Sequence, residues 1–302
     1  MIKVVLIAGI SGQDGTILSK KLSKKGYKVI GLSRKKRFSN FSEIILKTKY
    51  DKKNLIKIIK KFRPKIIFNF AGESNPKTSW EDPLKDQDSI TRINLNLINA
   101  ILETNKKIKY FHASTSEIFG MSKKKINEKT FYSPNNPYGC FKLSAHLALK
   151  LYREKYNLFL VNGILFNHES EIRSKNFLIP KIINHAKDIK KGAKKNLVLE
   201  TPFPIRDFAH ADDTINAIYK IMNLKKPSDF IISGGNIFTV RKLAETIFKK
   251  FKISKRKIFY RSYNRKNDIM IGDSSKLKKI TKWKPKYAGK IFIEKLIDDY
   301  NF

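Results

Sequence analysis

The stretch "VVLIAGISGQDGTILSKKL", residues 4–22, reads as a strand, a tight turn and the start of a helix. The run before Gly9 is wholly apolar, which suits a strand buried on both faces, whereas the apolar positions after Gly15 alternate with serine and lysine at helical spacing. Between them, Gly9, Gly12 and Gly15 are spaced G-x-x-G-x-x-G. Such a turn lets the backbone approach a pyrophosphate at the helix N-terminus, where unpaired N–H groups and the helix dipole favour anions. The three glycines, with Ser11, Gln13 and Asp14 between them, are the candidate dinucleotide contacts.

Working outward, the same alternation continues through "YKVIGLS", "KNLIKIIKKF", "KIIFNFAG", a helix within "PLKDQDSITRINLNLINAILETN", and "IKYFHAS". A long helix is expected in "PYGCFKLSAHLALKLYREKY" and a further strand in "LFLVNGILF". Apolar strands separated by amphipathic helices imply an α/β fold, a Rossmann-type doubly wound parallel sheet. After about residue 165 the pattern becomes irregular, with short elements and charged loops. We expect a dinucleotide-binding domain over 1–165 that the chain rejoins around 205–235, and a smaller C-terminal substrate-binding lobe over most of 166–302.

Composition narrows the function classes. At 302 residues the chain can bury a sizeable core. No apolar run approaches the roughly 18 to 20 residues of a membrane span, and the opening residues read as a strand and glycine turn, not as a signal peptide. The single cysteine, Cys140, excludes an intrachain disulfide and suits a cytoplasmic location. A net charge of +38 would ordinarily suggest nucleic acid, but the lysines are scattered among positions that suit any polar residue. Neither a nucleic-acid partner nor a membrane is expected, and no metal cluster is read.

Two further motifs carry chemistry. The second strand ends "VIGLSRKKR" without the Asp or Glu that would hold a ribose 2′-hydroxyl, while Ser33, Arg34 and Lys35 offer donors and positive charge for a 2′-phosphate. NADP is therefore expected over NAD. In "PYGCFK", Tyr138 and Lys142 are four apart, on one face of one helix. A phenol with an ordinary pKa of about 10 is a poor base, and an adjacent ammonium favours its ionised form. With the hydroxyls of "HASTSEIFG", residues 112–120, this pair points to hydride-transfer chemistry of the short-chain dehydrogenase type.

The segments "GISGQDGTIL", "FNFAGES", "ASTSEIFG", "SPNNPYGCFKLSAH", "NGILFNHES" and "IRDFAHADD" keep the order of one family, and "IGDSSKLKKITKWKP" echoes its closing segment. The chain resembles the GDP-mannose 4,6-dehydratases, extended short-chain dehydrogenases. The resemblance implies that Thr115 binds the hydroxyl on carbon 4 of the sugar of GDP-mannose, Tyr138 takes its proton, and Lys142 holds the phenolate and the nicotinamide ribose. Glu117 would be the base that removes the proton on carbon 5 while the hydroxyl on carbon 6 leaves as water. Ala71, Ser74, His168 and Arg173 would meet the cofactor. Ser116, Asn167, Arg206, Arg265 and Asp268 would meet the substrate. A homo-oligomer, dimer or tetramer, is expected.

Departures from the family pattern are local. Its acidic-leucine pair at the adenine appears as Thr48-Lys49, the segment between Arg37 and Tyr50 is short, and its Arg-Pro near the C-terminus is Arg265-Lys266. A related sugar-nucleotide reductase or epimerase is the nearest rival, although neither chemistry needs Glu117. A non-catalytic NADP-binding module with a nucleic-acid partner is the other, although it needs none of Thr115, Glu117, Tyr138 and Lys142.

Overall fold

The computed structural model describes residues 3–34, 44–122, 124–264 and 268–300; Lys35, Arg37, Arg265 and Lys266 lie outside them. β1 (Val4–Ala8) forms because five apolar side chains find neighbours on both faces: it pairs in parallel with β2 (Lys28–Ser33) on one side and β4 (Ile66–Asn69) on the other. β3 (Ile44–Lys47) extends the sheet beyond β2, while β5 (Lys109–Thr115), β6 (Leu160–Leu165) and β10 (Phe230–Ile232) extend it beyond β4. The order β10-β6-β5-β4-β1-β2-β3, parallel throughout, reverses direction of growth at β1 and β4. In doubly wound sheets that reversal opens a crevice beyond the strands' carboxyl ends.

Helices cover both faces. Leu18 and Leu22 of α1 (Gln13–Lys24) and Ile215 and Ile218 of α7 (Ala211–Met222) pack on one, with Val5, Ile7 and Phe68. Leu55 and Ile59 of α2 (Lys52–Phe62), Leu97 and Ile101 of α4 (Ile93–Thr104) and Leu149 of α5 (Pro137–Tyr156) pack on the other, with Leu6, Ile67 and Tyr110. The segment expected to hold one helix instead holds α3 (Pro83–Gln87) and α4, joined by a π-helical turn at Asp88–Arg92. That turn has a local use: Ser89 Oγ accepts the Glu73 N–H at 3.2 Å, which ties it to the loop after β4.

The remaining strands form two smaller sheets. β7 (Asn167–Glu169), β9 (Ile205–His210), β11 (Asn236–Thr239) and β13 (Ile269–Met270) make one, and β8 (Leu197–Leu199) pairs with β12 (Ile258–Tyr260) in the other. The chain rejoins the main sheet through α7 and β10, whereas β9, inside the span where that return was expected, pairs in the second sheet. The second half is more regular than its sequence suggested. It contains α6 (Leu178–Lys190), α8 (Val240–Lys250) and α10 (Lys290–Tyr300), whose Ile179, Ile183, Leu243, Phe248, Phe292 and Leu296 share a third core. α9 (Ser275–Thr281) packs instead with α7 and β10.

Candidate active site

The glycine turn follows β1 directly and is shaped by close backbone approaches. Gly9 sits at φ +77°, and a Cβ there would lie 2.7 Å from the Ala71 nitrogen at the end of β4. A Cβ on Gly15 would lie 2.4 Å from the Gly9 carbonyl oxygen, so the helix could not begin so close to the strand with any other residue. Gly12 differs: it is exposed, its backbone is ordinary, and a Cβ would meet only the Gly9 oxygen at 3.4 Å. Among the described residues nothing requires glycine there. The bare N-terminus of α1, which has no side-chain cap, fits an anionic ligand approaching over Gly12.

Other candidate cofactor residues divide between framework and surface. Gln13 is buried as a cross-brace, its amide donating to the His168 carbonyl at 3.1 Å and accepting from Ser170 Oγ at 2.9 Å. Ser11 Oγ lies 3.3 Å from Ser33 Oγ, linking the glycine turn to the end of β2. Ala71 is buried, its N–H held by Asn69 Oδ1 at 3.0 Å. Arg34 is exposed and reaches the Glu73 carboxylate at 3.4 Å. The turn is braced from beneath by Tyr50, itself at φ +59°, whose hydroxyl accepts the Gly9 N–H at 3.1 Å and donates to the Leu32 carbonyl at 2.8 Å.

A cavity of about 610 Å³ lies beyond the carboxyl ends of β4, β5 and β6. Thr115 ends β5, and its hydroxyl caps the 3-10 turn Ser116–Phe119 by accepting the Glu117 N–H at 3.3 Å. Glu117 is thereby turned into the cavity with Ser116. From α5 come Tyr138 and Lys142, the latter donating from Nζ to the Ala113 carbonyl at 2.8 Å. Thus the four candidate catalytic side chains share one wall. Asn136, which sequence reasoning did not single out, joins the two segments: its Nδ2 donates to Glu117 Oε2 at 2.8 Å. An Asn before a Pro at the first helical position is a capping signature, but its second partner depends on the fold.

Burial sets the electrostatics of this wall. It pushes the Tyr138 phenol up, against a hydrogen bond with Thr115, and pulls the Lys142 ammonium down to about 8, against the nearby Asp14 and Asp86 carboxylates. Burial also raises Glu117, while the Asn136 amide and the Arg206 guanidinium pull it down and Asp268 pushes it up. A carboxylate poised above its ordinary value is better suited to take a carbon-bound proton than a solvated one.

β7 and the second lobe line the cavity as well. His168 Nε2 contacts Asp14 Oδ1 at 2.9 Å; burial lowers its pKa, but the carboxylate outweighs this and the net direction is upward. Asn167, Arg173 and Ser74 line the same cavity. Arg206 is paired with Asp268 at 2.7 Å and not with its neighbour Asp207, which instead accepts the Gly235 N–H at 2.7 Å. Glu169 and Asp86 are buried carboxyls that sequence reasoning passed over, each with its pKa raised, by burial first. Glu169 Oε2 and Arg173 Nε have no hydrogen-bond partner among the described residues, so this part of the lining holds polar capacity that a polar ligand could use.

A family model described as GDP-mannose 4,6 dehydratase matches residues 6–296. The chain is 31% identical to GDP-mannose 4,6 dehydratase 1 of Arabidopsis thaliana, over 98% of this chain and 89% of that one. It is also 31% identical to the Homo sapiens GDP-mannose 4,6 dehydratase, over 97% and 90% respectively. Among solved structures it is similar to a dTDP-glucose 4,6-dehydratase from Bacillus anthracis, with a TM-score of 0.88 at 21% identity over 99% of this chain and 96% of that one. That likeness carries the fold alone.

Proposed function

The chain belongs to the GDP-mannose 4,6-dehydratase family, and on that premise we propose that it is an NADP-dependent hydro-lyase converting GDP-mannose to GDP-4-dehydro-6-deoxy-mannose. The observation that carries this reading is the placement of a carboxylate, Glu117, on the same cavity wall as Thr115, Tyr138 and Lys142. A dehydrogenase needs the last three only.

NADP, when bound, supplies the acceptor for the carbon 4 hydride and returns a hydride to carbon 6. The chain's own residues move the protons. Thr115 hydrogen-bonds the hydroxyl on carbon 4, and Tyr138 takes its proton as the ketone forms, with the Lys142 charge offsetting the cost of a buried phenolate. The ketone acidifies the proton on carbon 5. Glu117 removes it, the C–O bond at carbon 6 breaks, and that proton leaves with the departing hydroxyl as water. A proton from solvent returned to carbon 5, balanced by the proton Tyr138 releases to solvent, completes the product, so the sugar loses one water and its oxidation level shifts from carbon 6 to carbon 4. We assign Asn167 and Arg206 to the substrate and His168 and Arg173 to the cofactor; all four line the cavity, whose volume of about 610 Å³ suits a small-molecule ligand.

The preference for NADP is supported by the end of β2, where Ser33 is followed by Arg34 and no carboxylate. The exposed Arg34–Glu73 pair is worth little in water, so the guanidinium can turn to a 2′-phosphate. Among the described residues no helix is long and apolar enough to cross a membrane.

The test is mass spectrometry of GDP-mannose incubated with purified protein in deuterated water, with NADP or NAD supplied separately. The expected product is lighter by one water and carries one solvent deuterium at carbon 5, and it forms faster with NADP. An isomer of unchanged mass, a reduced sugar or no reaction overturns the dehydratase reading. Equal rates with the two cofactors overturn the NADP reading alone.

A further inference from the structure

The side chain of Asn136 has two ends and uses both at the active site. Its Oδ1 accepts the Gly139 N–H at 2.8 Å and so caps α5, the helix that carries Tyr138 and Lys142. Its Nδ2 donates to Glu117 Oε2 at 2.8 Å and to Asn135 Oδ1 at 3.0 Å. Glu117 comes from a different element, the 3-10 turn after β5. The two segments touch through backbone as well: a Cβ on Gly139 would lie 2.7 Å from the Glu117 carbonyl oxygen, so no side chain separates them. One planar amide therefore fixes the carboxylate against the first turn of the helix that bears the phenol.

We propose that Asn136 is a positioning residue that holds Glu117 ionised and in register with Tyr138, so that the base for carbon 5 and the base for the carbon 4 hydroxyl act on one sugar without rearrangement. The proposal rests on the dehydratase reading and deepens it. An amide N–H can donate to a carboxylate and cannot take its proton, so it favours the charged form of Glu117. The groups that face Glu117 are Tyr138 on α5, Arg206 on β9 and Asp268 before β13. Arg206 is already paired with Asp268 at 2.7 Å, which leaves the Asn136 amide as the neutral donor in contact with Glu117. Among the described residues, removing that donor leaves burial and Asp268 opposed by the Arg206 guanidinium.

The substitutions Asn136→Ser and Asn136→Asp separate this role from the cap, because serine and aspartate both cap helices well. Neither supplies the amide donor, and aspartate sets a second negative charge beside Glu117. Carboxyl carbon NMR of labelled protein, with the Glu117 signal assigned by its loss in Glu117→Gln, needs no substrate. The titration midpoint of Glu117 is expected to rise in both variants, and further in Asn136→Asp. Thermal midpoints are expected to stay near that of the wild type. In single turnover, the early absorbance of the reduced cofactor is expected to appear at close to the normal rate. Release of the 6-deoxy product at pH 6 is expected to slow by about tenfold or more, the size of one lost charge-assisted hydrogen bond, and to recover as pH rises. An unmoved Glu117 midpoint in both variants overturns the proposal, as does a moved midpoint with product release unchanged at every pH. If the wild type fails to dehydrate GDP-mannose, the proposed function falls, and the NMR titration still decides whether Asn136 controls the ionisation of Glu117.

Discussion

Glu117 is a carboxylate under opposed influences, and the balance decides what it can do. Burial raises its pKa while Asn136 and Arg206 lower it, which suits a group that must both accept and release a proton within one turnover. In the proposed reaction, oxidation at carbon 4 is assigned to Tyr138, Lys142 and the cofactor, whereas elimination is assigned to a base at carbon 5. Glu117→Gln should therefore divide the reaction: it keeps shape and hydrogen bonding, and loss of the base should slow turnover by roughly 100-fold or more. Stopped-flow absorbance should show the reduced cofactor accumulating without release of a 6-deoxy sugar. Tyr138→Phe should abolish both signals, since no hydride leaves while the hydroxyl keeps its proton. Wild-type turnover in Glu117→Gln would make the carboxylate a bystander. Tyr138 and Lys142 were legible in the sequence as a pair four apart at a helix start, and Glu117 through the family resemblance. Asn136, Glu169 and Asp86 were not, because what marks them is burial and a partner distant in sequence, as between Asn136 and Glu117.

The glycine turn is the element whose reading gave the sheet, and its three glycines are not equivalent. Gly15→Ala drives a Cβ to within 2.6 Å of Ile10 Cα and closer still to the Gly9 carbonyl, both of them backbone atoms that can yield only by moving the turn. We expect it to destabilise the protein by roughly 1–3 kcal/mol, the usual cost of overpacking. Gly12→Ala has an extended backbone at φ −82° and only an ordinary contact, so beyond the cost of alanine at an N-cap, about 1 kcal/mol or less, its stability should match the wild type. Its Cβ would point where a pyrophosphate must come, so affinity for NADP should fall by about tenfold or more. Calorimetry of unfolding and of NADP binding, run on both variants, checks the contrast; equal NADP affinity in Gly12→Ala would remove the turn from the cofactor site. At this scale the first half of the chain was readable because buried parallel strands are apolar throughout. The π-helical turn at Asp88–Arg92 was not, since its residues continue a helical pattern and its tie to the loop at Glu73 is not local in sequence. The helices of the second lobe were obscured in the same way: in "VRKLAETIFKK" charged residues interrupt the apolar ones, and the stripe of Val240, Leu243, Ala244 and Ile247 is visible only as a face.

Over the whole molecule, the charge of +38 is distributed in two ways. Some lysines serve the fold. Lys109 donates to the Met222 carbonyl at the end of α7 at 3.0 Å, Lys220 to the Thr281 carbonyl at the end of α9 at 3.1 Å, and Lys187 to the Tyr300 carbonyl at the end of α10. Ammonium groups at helix C-termini satisfy carbonyls that the helix itself cannot and oppose the negative end of its dipole. Others, such as Lys52, Lys53, Lys60 and Lys61 on α2 and Lys242, Lys249 and Lys250 on α8, are exposed on elements that belong to different cores. Charge spread in this way gives a positive field that draws anions, a sugar diphosphate among them. Binding to arbitrary duplex DNA should then be governed by counterion release alone. Its affinity should be independent of sequence and fall by roughly a thousandfold or more between about 50 and about 200 mM salt, with a linear dependence on the logarithm of salt concentration. Fluorescence anisotropy with two unrelated duplexes across that range makes the measurement. A preference for one duplex that persists at the upper salt concentration would mean that part of this charge is organised for recognition, and a nucleic-acid role would then have to stand beside the catalytic one.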